Sequence, residues 1–463
     1  MIYYKMVEVG KFSFRRTNMS ISNSTERFEK EVSNLSDSKA RMRLAMLFDN
    51  GTYNEVDRFL KNEENECEVV TAFGEVNGLP TYAFAQSIDV NKGAMGKVQA
   101  SKINHIYDMA LKTGCAVVGI FDSFGAHIDE GIDALEAYGS IIKAAGNLSG
   151  VVPQISVIAG TCIGSAAVLA SLSDVVILEK DSEFYITNNT EETGNATLVA
   201  DDDSQAMRLA AEVLSYLPSN NLSEALFADY LPATASDDAM LSTIDSNSFL
   251  ELDSEVGETI ITGFARIGGA AVGVVKTSTK ENDGYFCSCA AKKAARFVRL
   301  CDAFSIPIIT FVDSNGLVVT DKCEKGSGVK AVSMLTSAYS EATTVKISVV
   351  NGNAIGAAYI AFISSASNPD LVYAWPQSVI GSLEPMTAVQ FSYKDRLEAG
   401  EERKALEEEY KTVVCSPFNA AAKGYVNDII EPEHTAAKLI SSLTLLASKR
   451  VSTLSKKHSN IPL

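Results

Sequence analysis

Two stretches of this 463-residue chain, Val151–Ser173 and Ile347–Pro369, carry no charged residue, and they match each other in order. Ile155-Ser156-Val157 recurs as Ile347-Ser348-Val349. Gly160-Thr161-Cys162-Ile163-Gly164-Ser165-Ala166 recurs as Gly352-Asn353-Ala354-Ile355-Gly356-Ala357-Ala358, 192 positions on. Upstream, Gly119-Ile120-Phe121-Asp122-Ser123-Phe124-Gly125 has its counterpart in Thr310-Phe311-Val312-Asp313-Ser314-Asn315-Gly316, 191 positions on, so one single-residue gap aligns every block. Ahead of each Asp-Ser-x-Gly lies an amphipathic helix pattern (Lys102–Thr113 and Ala291–Phe304). Ahead of that lies a strand pair with a glycine turn (Val69–Gln86 and Thr259–Lys276). A chain that writes one unit twice folds as two homologous α/β domains in tandem, expected here over 1–248 and 249–463. A solenoid is excluded, because its period is roughly 20–50 residues.

Within each unit the order strand, helix, strand, Asp-Ser-x-Gly turn, helix, strand, glycine turn, helix predicts right-handed crossovers and a buried, mostly parallel sheet. Ligands of such sheets bind where strands end in turns. Both charge-free stretches are long enough to span a bilayer. Neither reads as lipid-facing, since Gln154, Gly160, Thr161 and Gly164 interrupt the first and Asn351, Gly352, Asn353 and Gly356 the second; no direct membrane span is expected. Asn188–Thr197 and Thr234–Asn247, rich in Ser, Thr, Asn and Asp, are expected loops. Arg396–Lys411 is an expected charged helix and Ala436–Lys449 a closing amphipathic one.

A formal net charge of −18 argues against nucleic acid as a partner, because phosphate binding needs a basic surface. An anionic ligand must then be held locally, and backbone amides at helix starts can do that. The eight cysteines form no C-x-x-C and no histidine stands near them at ligand spacing, so no metal site is expected. Scattered thiols and an N-terminus without a signal-peptide pattern predict a cytoplasmic protein.

The chemistry lies in the repeated turns. Ile163-Gly164-Ser165-Ala166 ends an apolar strand and opens an apolar helix, leaving N–H groups without helical acceptors. Two adjacent free amides make an oxyanion hole. Either Gly164 or Gly356 alone reads as a glycine that permits close helix-to-strand packing; the matched repetition favours the oxyanion reading. Asp122 and Asp313, at strand ends, read better as acceptors that fix a turn or cap a helix than as general bases. His127 stands next to the first turn, and a lone histidine is more often structural than catalytic. No phosphate-binding, dinucleotide-binding, serine-hydrolase or zinc-protease motif is present.

Six runs together resemble the carboxyltransferase subunits of biotin-dependent acyl-CoA carboxylases and decarboxylases, the propionyl-CoA carboxylase beta and methylmalonyl-CoA decarboxylase alpha type. They are Ser38–Leu44, Phe73–Gly78, Asp122–Gly131, Ser215–Asn221, Ala294–Phe304 and Tyr373–Pro376, and the resemblance covers residues 38–445. It implies two crotonase-like domains, acyl-CoA-binding first and biotin-side second, in a head-to-tail dimer or a trimer of such dimers. In that picture the amides at Gly164 and Ser165 hold the thioester oxygen, and those at Gly356 and Ala357 hold the biotin ureido oxygen. Phe124, Gly125, Ala126, His127, Gly316, Leu317 and Ile360 would line the substrate sites. Carboxybiotin releases CO₂, the biotin anion takes the acyl-CoA α-proton, and the enolate attacks CO₂; reversed, the site decarboxylates.

The chain has no Met-Lys-Met biotinylation site and no ATP-binding segment. Biotin is therefore expected on a biotin carboxyl carrier protein, with a biotin carboxylase or a membrane decarboxylase subunit as the further partner. Family members usually carry glycine, arginine, proline and a second glycine where Phe124, His127, Asn315 and Ser165 stand. These departures motivate an alternative, a catalytically weak paralogue serving as a structural or acyl-CoA-binding subunit. A crotonase-like hydrolase or isomerase is the third reading, and it needs an acid or base beside the hole.

Overall fold

The computed structural model describes residues 24–460 except 34, 36, 63–64, 68, 87, 187–195, 225, 278–281, 319, 321–327, 453–454, 457 and 459. Most of the expected Asn188–Thr197 loop, and Cys323, lie outside the described residues.

One sheet is built from β1 (Tyr53–Val56), β2 (Val69–Val76), β3 (Leu79–Gln86), β4 (Ala116–Ser123), β5 (Gln154–Ile163), β6 (Val175–Glu179), β7 (Glu183–Tyr185) and β8 (Leu198–Ala200). The other is built from β9 (Leu250–Leu252), β10 (Ile260–Ile267), β11 (Ala270–Thr277), β12 (Ile308–Ser314), β13 (Lys346–Ile355), β14 (Leu371–Ala374), β15 (Val379–Gly381) and β16 (Asp428–Ile429). Strand order is β1-β2-β3-β4-β5-β6-β8 in the first, with β7 on the far end of β5. It is β9-β10-β11-β12-β13-β14-β16 in the second, with β15 on β13. The duplication read from the sequence is thus a duplication of topology. In each sheet the first three strands pair antiparallel and the rest parallel. All eight residues of β4 are buried, as a parallel strand covered on both faces requires. The hairpins turn through Asn77-Gly78 and Gly268-Gly269, all four at positive φ, the geometry of a two-residue hairpin turn.

Among the helices are α1 (Lys39–Leu47), α2 (Lys97–Thr113), α3 (Ile132–Leu148), α4 (Ser165–Ala170), α5 (Asp203–Tyr216), α6 (Ser288–Ala303), α7 (Gly328–Glu341), α8 (Ala357–Phe362), α9 (Pro385–Ser392) and α10 (Thr435–Leu446). α2 packs on α3 as α6 packs on α7. The halves meet through shared core: the Tyr216 ring stacks on Phe264 at 5.7 Å, and its hydroxyl donates to the Ser248 carbonyl at 2.6 Å. Across the same join, Arg296 of α6 donates to the Ser173 carbonyl at 3.2 Å. Thr234–Asn247 is irregular, as expected, yet anchored, because Asp245 accepts from the Gly268 and Gly269 amides at 2.8 and 2.7 Å. Arg396–Lys411 is not one helix. Gly400, at φ +91°, ends a first short helix (Lys394–Glu398) before a second (Arg403–Glu409). Arg396 clasps the two by pairing with Glu401 and Glu409.

Candidate active site

The parallel register between β4 and β5 shifts between Phe121 and Ser123, and that between β12 and β13 shifts between Val312 and Ser314. Each bulge holds a carboxylate. Asp122 accepts from the Thr161 amide at 3.3 Å, and Asp313 from the Asn353 amide at 2.8 Å. A side chain on Gly160 or Gly352 would start 2.4 or 2.1 Å from the Asp122 or Asp313 Oδ1, so those glycines make room for the acids. Both acids thus brace the neighbouring strand. The Asp122 carboxylate is committed further, to the Arg43 guanidinium at 2.8 Å.

Beyond the bulges the strands end in the two repeated turns. Gly164 (φ +62°, ψ −127°) and Gly356 (φ +52°, ψ −112°) hold a conformation that side chains resist. Each of their own amides is occupied: Gly164 donates to the Tyr185 carbonyl at 3.1 Å and Gly356 to the Gly381 carbonyl at 3.0 Å. The expectation that these two glycine N–H groups face a ligand is therefore corrected. What each turn does is aim the next amide, that of Ser165 or Ala357, out of a helix start, where no helical acceptor exists.

A second amide approaches each turn. Gly125 (φ +96°) lies against the end of β5, with the Ile163 carbonyl 3.3 Å from where its side chain would begin; Gly316 (φ +113°) lies likewise against the Ile355 carbonyl at 3.3 Å and the Ala357 nitrogen at 3.7 Å. Met95 donates to the Gly125 carbonyl at 2.8 Å and accepts from the His127 amide at 2.7 Å, which leaves the intervening Ala126 amide on the opposite edge. In the second half Phe286 pairs with Leu317 in the same parallel way and accepts from the Val318 amide at 3.0 Å, which places the Leu317 amide likewise. The open donors are thus Ser165 with Ala126, and Ala357 with Leu317.

Phe124, Gly125, Ala126 and His127 come together with Gly164 and Ser165. Phe124 is 46% exposed, with the Lys92 ammonium 5.4 Å from its ring centre. The His127 Nδ1 is buried and has no hydrogen-bond partner among the described residues. Gly316, Leu317, Gly356, Ala357 and Ile360 form the second mouth. Leu317, Ala357 and Ile360 line an open cleft of about 720 Å³ between α7 and α8, with Val332, Ser333 and Thr336 on its wall. Glu341 is the one charged residue among its described lining, and it is paired with Arg299 at 2.9 Å.

Two supports escaped the sequence reading. Asn91-Lys92-Gly93 and Asn282-Asp283-Gly284 are left-handed turns, again 191 positions apart. Their glycine carbonyls accept from Ser123 Oγ at 2.6 Å and Ser314 Oγ at 2.8 Å, and each serine in turn accepts from the amide of Gly125 or Gly316. The repeated N-x-G at the known offset was the signal. The described residues also hold one group able to share a metal ion, the exposed trio Glu431, Glu433 and His434, far in sequence from either mouth. Among the described residues seven cysteines form no disulfide, and no helix is long and apolar enough to cross a membrane.

Residues 37–461 match the carboxyl transferase domain family. The methylmalonyl-CoA decarboxylase subunit alpha of Veillonella parvula is 35% identical over 476 positions, covering 92% of this chain and 93% of that one. The propionyl-CoA carboxylase carboxyltransferase subunit of Haloferax mediterranei is 34% identical, covering 92% and 93%. Among solved structures, a transcarboxylase 12S hexamer with methylmalonyl-coenzyme A and methylmalonic acid bound superposes with a TM-score of 0.87 at 32% identity, over 95% of each chain. With the tandem sheets, the paired turns and a match over nearly its whole length, this chain belongs to the carboxyl transferase family of enzymes.

Proposed function

We propose that this enzyme carries out biotin-dependent carboxyl transfer to and from a short-chain acyl-CoA, with backbone amides of its two repeated turns as the catalytic groups. The observation that carries this reading is the repeated geometry: each half ends a parallel strand in a glycine whose own N–H is bonded away and whose neighbours leave two amides open. Such donors act where negative charge develops, and losing one typically costs on the order of 100-fold in rate. In the first half Ala126 and Ser165 would hold the thioester oxygen, so that the charge left by loss of an α-proton or α-carboxyl group meets two donors. Asp122 is committed to Arg43 and the Thr161 amide, which leaves no carboxylate in that turn as a base.

In the second half Leu317 and Ala357 would hold the ureido oxygen of biotin. A neutral ring suits that cleft, whose described lining is apolar and hydroxylic apart from the paired Glu341. Biotin, brought on a separate carrier protein, supplies or accepts the carboxyl group and serves as the base for the α-proton. The two mouths belong to different sheets, so the reading includes a head-to-tail dimer, or a trimer of dimers, that sets the first half of one copy against the second half of another. The further partners are a biotin carboxylase or a membrane decarboxylase subunit.

The test is decarboxylation of malonyl-CoA and methylmalonyl-CoA with free biotin, by the wild type and by Ser165→Pro and Ala357→Pro. Proline suits the first position of a helix and removes the N–H that each turn offers. Each variant should lose about 100-fold in rate while melting near the wild type. CoA-ester binding without turnover by the wild type would leave an acyl-CoA-binding subunit; CoA release without decarboxylation, independent of biotin, would leave a hydrolase.

A further inference from the structure

The two mouths differ at one structurally equivalent position. Aligning Asn91-Lys92-Gly93-Ala94-Met95 with Asn282-Asp283-Gly284-Tyr285-Phe286 puts Tyr285 where the first half has Ala94. The half-buried Tyr285 hydroxyl donates to the Glu384 carboxylate, 99 positions away. Tyr285 pairs with Gly316 as Phe286 pairs with Leu317, so its strand fixes where the Leu317 amide points. Glu384 opens α9 three residues after Gly381, whose carbonyl holds the Gly356 amide. The Ser382 carbonyl, between them, lies 3.3 Å from where a Gly356 side chain would begin. One side-chain bond therefore joins the segment that aims the Leu317 amide to the segment that aims the Ala357 amide.

We infer that the Tyr285–Glu384 hydrogen bond is a brace that sets the separation of the second amide pair, and that Tyr285 is a positioning residue for biotin with no counterpart at the acyl-CoA mouth. The inference rests on the proposed assignment of the second mouth to biotin. The phenol is a dependable donor, because its bond to Glu384, with burial, pushes its pKa up to about 12. At Ala94 no hydroxyl exists, so the first mouth has no bond equivalent to that of Tyr285. Geometry of this kind matters because a misplacement of about 1 Å can cost roughly 100-fold.

The experiment uses the full chain and five variants, Tyr285→Phe, Glu384→Ala, Glu384→Gln, the double Tyr285→Phe/Glu384→Ala, and Ala357→Pro. The readouts are calorimetric binding of biotin methyl ester, KM for biotin and for malonyl-CoA in the decarboxylation assay, and thermal melting. Tyr285→Phe and Glu384→Ala should each weaken biotin about 10-fold in both Kd and KM, with KM for malonyl-CoA and the melt unchanged. The double variant should be no worse than either single one, and Glu384→Gln, which keeps an acceptor oxygen, should restore most of the affinity. Biotin binding within twofold of the wild type in Tyr285→Phe overturns the brace, as does an equal loss for both ligands with a lowered melt. Ala357→Pro separates the two levels. If it weakens biotin while Tyr285→Phe does not, the brace alone fails; if it too leaves biotin binding intact, the assignment of the mouth fails with it.

Discussion

The two halves share a chain path down to their bulges, yet different side chains reach the bulge residue. In the first half the buried Arg43 reaches Asp122 at 2.8 Å and Asp203 at 2.7 Å and also donates to the Ala159 carbonyl. Glu179 stands against Asp203, and burial first, then the Asp203 charge, raises its pKa to about 7. In the second half Asp313 accepts from the Asn353 amide, while its own amide donates to Thr277 Oγ1 at 2.8 Å. Where the second half has Thr277, the first has Gln86, whose Oε1 is buried and unpartnered among the described residues. The difference teaches that the turn needs a fixed acceptor in the bulge, while its neutralisation depends on the element packed beside it. In the first half that element is α1, which carries Arg43.

The sharpest way to break this comparison is to remove the guanidinium. Arg43→Met strands the buried Asp122, besides taking the partner of the half-exposed Asp203, and should cost about 3–5 kcal/mol of unfolding free energy. Thr277→Val removes one neutral acceptor and should cost about 1 kcal/mol. Urea unfolding compares the two; equal losses would mean that the ionic support of the first half is incidental.

A smaller effect is expected at the glycines that face the bulges. Alanine at Gly160 or Gly352 brings a methyl group to within 2.4 or 2.1 Å of a carboxylate oxygen. Overpacking of this kind costs about 1–3 kcal/mol. Gly160→Ala should sit at the upper end, because Arg43 holds Asp122 in place. Its urea midpoint tests this, and a loss below about 1 kcal/mol would count against a rigid clamp.

Much of this was legible in the sequence because duplication writes each constraint twice. The strands, both hairpins and the helices before and after each bulge follow from matched blocks and periodicity. The donors were legible only in part. That a glycine lies at a strand end can be read from its neighbours; that its N–H is taken by Tyr185 or Gly381 cannot, since those acceptors sit on short strands fixed by tertiary pairing. Arg43 falls within a run that resembled the family, but nothing in Ser38–Leu44 reveals that it reaches a strand end 79 positions away. Gly400 shows the opposite failure, where charge periodicity over Arg396–Lys411 masked a single residue able to stop a helix.

At the other end of the sheets the comparison reverses, and the smallest predicted effect tests it. Asp174 accepts from the Gln154 amide at 2.9 Å, and its counterpart Asp370 accepts from the Lys346 amide at 2.8 Å, but Asp370 alone of the two also meets an ammonium, Lys449, at 2.8 Å. Burial pushes Asp174 up to about 6, more than its bond to the Gln154 amide and the nearby Arg296 charge pull it down. Between about pH 4 and 6 the folded chain thus keeps a proton that the unfolded chain has released, so stability falls as pH rises through that window and levels off above it. Asp174→Asn keeps an acceptor oxygen and removes the charge. Relative to the wild type it should gain on the order of 1 kcal/mol on going from pH 4 to pH 7. Asp370→Asn gives up its pairing with Lys449 and should lose up to about 1 kcal/mol at pH 7. Urea midpoints at the two pH values read both variants, and shifts of the same sign would show that the two acids, placed alike by the duplicated fold, are also alike in charge.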